Sequence, residues 1–422
     1  MLGGVSNTRR RRDSCAGTTR GSFALVVWFV ASCAHPIPRA PVASPSEPDA
    51  PRGAHAPVPA AEPDEESESE PPPIEVPSDA IRVSLERPRT LEFELHPQDG
   101  ILVACDPTSC LAVWVERGAV RSASLDPAAS ASRVSVAASG SQLVRVAGLV
   151  PHPRGFAFLR YVSRTFEIAE LELCVVARDG AFIRSVPLGA MHGNSSEPAL
   201  FVEGELGLVG LPATDTRVEF IDLASDLPGA RHRAPGAHTT TPGVEHDGNA
   251  FVTTWLTWNR GDVSMRLRRH RDEATDLTLP YFSQAGFACG DGACVLAGER
   301  DHAVLAIAIG RVPAEPRSIG TDRFSTATVH RHGAGLLVVA RGEGGARVTI
   351  VGATSQVSDV TGTIPGLTWR GDERYLGVEV TDPPDFEPMS YPCPSDESST
   401  CMDVPAYQRL RVHDVTVAVP RP

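Results

Sequence analysis

The sequence predicts an all-β fold on three observations. First, short β-branched and aromatic runs broken by Gly, Asp, Pro and Asn recur from residue 81 onward, as in Arg82–Leu95, Arg217–Leu223 and Arg409–Val419. Such runs are the mark of strands bounded by turns. Second, no long stretch shows the 3.6-residue period of a helix. Third, a polar or Gly-containing turn leading into an apolar strand recurs seven times. Its first strand residue falls at Leu111, Phe156, Leu206, Phe251, Val295, Leu336 and Tyr375, in steps of 39 to 50 residues that average 44. That period is the length of a four-stranded propeller blade and exceeds a β-helix coil. A seven-bladed β-propeller over residues 81–422 is the predicted architecture, and tandem β-sandwiches are the competing one.

The segments before it read differently. Arg9 to Arg12 and Arg20 precede the apolar run Phe23–Ala31, which is shorter than the roughly 20 residues a membrane span needs. A basic stretch, a short apolar stretch and small residues after it predict a secretory signal peptide over residues 1–32. The run ends in Val30-Ala31-Ser32-Cys33, which resembles the lipobox of bacterial lipoproteins. That resemblance implies cleavage before Cys33, lipidation of its thiol and a membrane anchor. Residues 33–80 are rich in Pro, Ala and acidic residues, including Asp64–Pro73, and predict a disordered linker that repeated Pro and like charges extend.

All 39 basic residues are Arg and the formal net charge is −13. Removing residues 1–32 deletes five Arg and Asp13, which leaves −17. A net-acidic mature chain with no basic run argues against nucleic acid as a partner. Arg codons can be GC-rich, so the gene reads as one from a high-GC bacterium. An outer-membrane or cell-surface lipoprotein of a Gram-negative cell is expected, with a periplasm-facing domain also open.

From about residue 95 to 420 the chain resembles the divergent β-propeller repeats of exported bacterial proteins, of the WD40 or TolB-like kind, although GH and WD signatures are missing. The resemblance implies closure of the ring by pairing an N-terminal strand with the last blade, and Ile81–Leu95 and Arg409–Val419 are the candidates.

The cysteines follow from export. Cys105 and Cys110 bracket Asp-Pro-Thr-Ser, and Cys289 and Cys294 bracket Gly-Asp-Gly-Ala, each immediately before a repeat anchor. A four-residue turn would set each pair across a hairpin, within disulfide reach. Zinc ligation by the four thiolates is the alternative, but the pairs lie four repeats apart and an oxidising compartment favours disulfides. Cys393 and Cys401, in a long loop from Asp382 to Ala406, predict a third staple. Cys174 is expected as a buried apolar side chain.

Candidate chemistry is sparse. His330 and His332 would share one face of a strand and are expected to be structural or solvent-facing. Arg260–Asp262 and Arg370–Asp372 read Arg-Gly-Asp but are ordinary turn residues. Asp382 and Asp385 could offer calcium oxygens, yet a solvated loop is the expectation. Trp255, Trp258 and Trp369 are candidates for a sugar-binding platform. No nucleophile elbow, phosphate loop, zinc-protease helix or dinucleotide fingerprint is present, and no Ser-x-Asp-x-Gly-x-Thr-Trp box occurs. No catalytic residue, metal or cofactor is therefore predicted. The expected function is a non-enzymatic envelope scaffold binding a protein or glycan, and the alternative is a polysaccharide hydrolase or lyase.

Overall fold

The computed structural model describes residues 81–418, less short stretches between strands of which the longest is 383–389. Cys33 and the predicted signal and linker segments lie outside the described residues. The described chain is strand and turn, with no helix among the described residues.

Six four-stranded antiparallel sheets run in chain order, each joining consecutive strands. They are blades 1 to 6, and their inner strands are Ile101–Cys105, Leu143–His152, Ala199–Glu203, Gly243–His246, Ser283–Gly290 and Phe324–His332. The seventh blade has inner strand Gly366–Gly371, then Arg374–Thr381, then Gln408–Ala418. Each inner strand neighbours the next, and that of blade 7 returns to that of blade 1. The molecule is a seven-bladed β-propeller, as the 44-residue period predicts.

Each of the seven anchors stands within the first three residues of its blade's second strand. A turn residue followed by an apolar run is a local signal, and this strand is buried on both faces. In blade 2, for instance, all but the last residue of Gly155–Ser163 is buried. Side chains from facing sheets then fill the seams, as where Leu171, Leu173 and Val175 of blade 2 meet Leu200, Val209 and Ile221 of blade 3.

Closure uses the expected segments. Arg82–Leu85 and Arg89–Leu95 both pair antiparallel with Gln408–Ala418, so the segment before blade 1 supplies the outer strand of the last blade. Val83 stands opposite Val417. The loop expected between Asp382 and Ala406 instead contains a two-stranded hairpin, Ser390–Cys393 with Asp396–Met402, outside the seven blade sheets. Its ladder pairs Cys401 with Tyr391 and Cys393 with Asp396, and the side chains of both cysteines lie outside the described residues.

The other staples are formed. Cys105–Cys110 and Cys289–Cys294 are disulfides across the first hairpins of blades 1 and 5, each with a Cα–Cα distance of 4.0 Å. So short a separation belongs to the narrow, non-hydrogen-bonded pair of an antiparallel ladder. Cys174 is a buried free thiol, as expected, and burial pushes it up to about 12.

Candidate functional site: the seam between blades 4 and 5

One face of the ring carries the turns that join inner to second strands, and its buried polar groups hold neighbouring blades together. In blade 1, Asp106 Oδ1 accepts from the Thr108 and Ser109 amides at 2.7 and 2.8 Å, while its Oδ2 accepts from Arg178 Nε of blade 2 at 2.8 Å. Burial opposes this charge, but the hydrogen bonds outweigh it and hold the carboxyl at about 2. In blade 2, His152 Nε2 lies 2.7 Å from Asp226 Oδ1 of blade 3, and Asp226 also pairs with Arg184. Burial lowers the His152 pKa, with Arg154 and Arg184 adding to the effect. In blade 4, Asp247 accepts from two turn amides and from Arg269, which donates onward to the Ile309 and Gly310 carbonyls of blade 5. These groups are latches, with their hydrogen bonds spent on the fold.

His330 and His332 do share a face, and both rings lie against Tyr375 of blade 7 with centroids 6.2 and 6.1 Å away. His332 Nδ1 is 2.9 Å from the Tyr375 hydroxyl, which donates to the Arg331 carbonyl. Burial lowers the His330 pKa to about 3, helped by Arg341, so its imidazole is neutral. Both histidines are structural.

Of the three tryptophans expected to form a sugar platform, Trp255 does not fit the role. Trp255 is 1% exposed. Its Nε1 donates to the Pro235 carbonyl at 2.7 Å, Phe220 packs edge-on, and Arg268 sits 5.4 Å from the ring centroid. An indole held in this way offers no face to a sugar. Trp369 is half-buried, on a different blade, and donates to the Asp372 carbonyl. The Trp258 side chain lies outside the described residues. Arg370, in the second Arg-Gly-Asp, is paired with Asp414.

The seam between blades 4 and 5 is different. It holds a cavity of about 310 Å³ lined by Pro242, Val244, Met265, Phe287 and Leu296, with Glu245 and Thr254 as its polar wall. Exposed Ala285 also lines it. Two glycines shape the gap. A Cβ on Gly243 would come within 2.4 Å of Thr254 Oγ1, so this wall has no room for a side chain. A Cβ on Gly286 would lie 2.9 Å from the backbone of Ala327 to Val329. The inner strand of blade 5 thus rests closely on blade 6, and the seam stays open on its other side.

Glu245 is the titratable group of this wall. Its carboxylate accepts from the Cys289 amide. The narrow pairing of Cys289 with Cys294 turns that N–H away from the second strand and toward the inner edge of the blade. Burial pushes Glu245 up to about 7, against the Arg331 charge and the Cys289 amide, which both favour the anion. Arg331 comes from blade 6, donates to the His246 carbonyl of blade 4 at 3.0 Å, and lies 5.3 Å from the Phe201 ring centroid of blade 3. A carboxyl with a pKa near neutrality, beside an apolar cavity, can accept or donate a hydrogen bond to a ligand.

Cleavage of a glycosidic bond uses two facing carboxyls. Glu245 instead has a guanidinium as its charged neighbour. Among the described residues, no group of three or more His, Cys, Asp or Glu gathers as a metal site. Glu245, Arg331 and the cavity were invisible in sequence, because Val244-Glu245-His246 carries no motif and its partners are distant in the chain.

Neither a protein-family model nor a curated protein matches the chain. Solved structures do. The WD40 domain of Toxoplasma gondii coronin is 11% identical, with a TM-score of 0.49, over 81% of this chain and 87% of that one. The Aleuria aurantia lectin in complex with Fucα1-6GlcNAc is 11% identical, with a TM-score of 0.39, over 64% and 97%. The Pyrococcus horikoshii acylaminoacyl peptidase is 9% identical, with a TM-score of 0.43, over 68% and 49%.

Proposed function

We propose that the protein is a lipid-anchored, non-enzymatic binding scaffold of the bacterial envelope, whose propeller recognises an envelope protein or glycan. The observation that carries this reading is the blade 4–5 seam, a concave cavity with mostly apolar lining residues in which Glu245 is the one carboxyl among the described lining residues. Such a site suits recognition better than bond cleavage. The two disulfides fit an oxidising compartment. The lipobox-like Val30–Cys33 supports the anchor, which needs more than one acyl chain on the processed Cys33 to hold stably.

Two experiments test the reading. Cys33→Ser is expected to abolish fatty-acid labelling and move the protein from the membrane to the soluble fraction; retention on the membrane would refute the anchor. Incubating the purified full chain with labelled envelope polysaccharide is expected to leave it uncut, and release of shorter products would replace the scaffold with a hydrolase or lyase.

A further inference from the structure

The seam has the marks of a built site. Most of its lining is apolar, Glu245 and Thr254 form a polar wall, and exposed Ala285 lines it. Phe287, which lines the cavity, is only partly buried, so apolar surface remains for a guest to cover. One donor already fixes Glu245, the Cys289 amide, which the disulfide Cys289–Cys294 holds in place. A carboxyl can accept several hydrogen bonds, so acceptor capacity is left for a ligand. Thr254 adds a hydroxyl that can donate or accept. Arg331, the facing charged group, donates to the His246 carbonyl and lies against the Phe201 ring.

We propose that the cavity between blades 4 and 5 binds a small ligand with an apolar body and one hydrogen-bond donor, hydroxyl or ammonium, set on the Glu245 carboxyl. The inference rests on the scaffold reading and names the chemistry its site takes. The apolar body covers Val244, Met265, Phe287 and Leu296, and the donor meets Glu245 with Thr254 alongside. At about 310 Å³ the cavity falls at the lower end of the roughly 300–1,000 Å³ of ligand pockets, which limits the guest to one ring or one short branched group.

Benzyl alcohol, benzylamine and toluene test this with the full chain in detergent, by ligand-observed NMR. The two donor-bearing fragments are expected to bind about tenfold more tightly than toluene, the worth of one hydrogen bond. Glu245→Leu should erase that preference, and Glu245→Gln should weaken benzylamine more than benzyl alcohol, which separates ammonium from hydroxyl. Ala285→Trp, at an exposed lining position, should block all three, with an unchanged melting temperature showing that the fold is intact. If no fragment binds, the cavity is a packing void and the inference falls. It falls equally if toluene binds as well as the others, or if Ala285→Trp leaves binding intact. Any of these failures would remove the small-ligand chemistry from the seam, whereas the scaffold reading itself fails on a different result, the release of shorter products from envelope polysaccharide.

Discussion

Removing residues 81–95 is expected to abolish cooperative unfolding of the propeller. The deletion strips the two outer segments that pair with Gln408–Ala418 and exposes the outer edge of that strand. It also removes Ile81, which is buried, and Val83 and Leu91, which pack on the cores at this closure. At about 1.5–3 kcal/mol for the buried Ile81 side chain, less for the partly buried Val83 and Leu91, and with the ladder lost as well, the cost approaches the roughly 5–15 kcal/mol that holds a domain together. Thermal unfolding followed by circular dichroism is expected to lose its sharp transition. A transition within a few degrees of the parent would mean that closure lies elsewhere. The opposite change should strengthen the ring. Asp414 presents its carbonyl to Glu86, while the Val417 amide donates to Glu373 on the other side. The Val83–Val417 pair is therefore a narrow one, at about 4.5 Å between Cα atoms and within disulfide reach. Cysteines at both positions are expected to join, and mass mapping without reduction reads the bond.

Arg341→Ala is expected to cost about 2–6 kcal/mol of stability, from two orphaned acceptors at roughly 1–3 kcal/mol each. Arg341 is 8% exposed in the second strand of blade 6. It donates to the Thr328 hydroxyl and to the Ile364 and Pro365 carbonyls that lead into blade 7. Burial draws its pKa down to about 10, which still leaves it charged at neutral pH. Without the guanidinium, the Ile364 and Pro365 carbonyls have neither it nor ready access to water. Arg341→Lys should restore only part of the loss, since an ammonium cannot reproduce the planar fork. A shift in urea midpoint worth under about 0.5 kcal/mol, the usual surface effect, would show that the contacts are incidental.

Much of the fold was legible because its signals are local. A turn residue before an apolar run marks the second strand of every blade. The cysteine pairs announced two hairpins because a four-residue turn brings its ends together. Closure by residues 81–95 and 409–419 was expected from the resemblance to propeller repeats; only the strand character of each segment was local. The site was not legible, since it exists only where Glu245, Cys289 and Arg331 meet, and these are brought together by ring geometry. Trp255 was misjudged for a related reason. An aromatic on a blade strand faces a neighbouring sheet, and the Pro235 carbonyl and Phe220 that occupy its surroundings come from blade 3.

The central claim is that the protein works as a binder through the blade 4–5 seam. A photoreactive residue at position 285, beside the cavity, tests it in intact cells against the same residue at position 227. Leu227 is 59% exposed and lies at the start of an outer strand, on the opposite face of the ring. A defined envelope adduct at position 285, lost when Glu245→Leu is added, is the predicted result. An adduct at position 227 with none at 285 would contradict it.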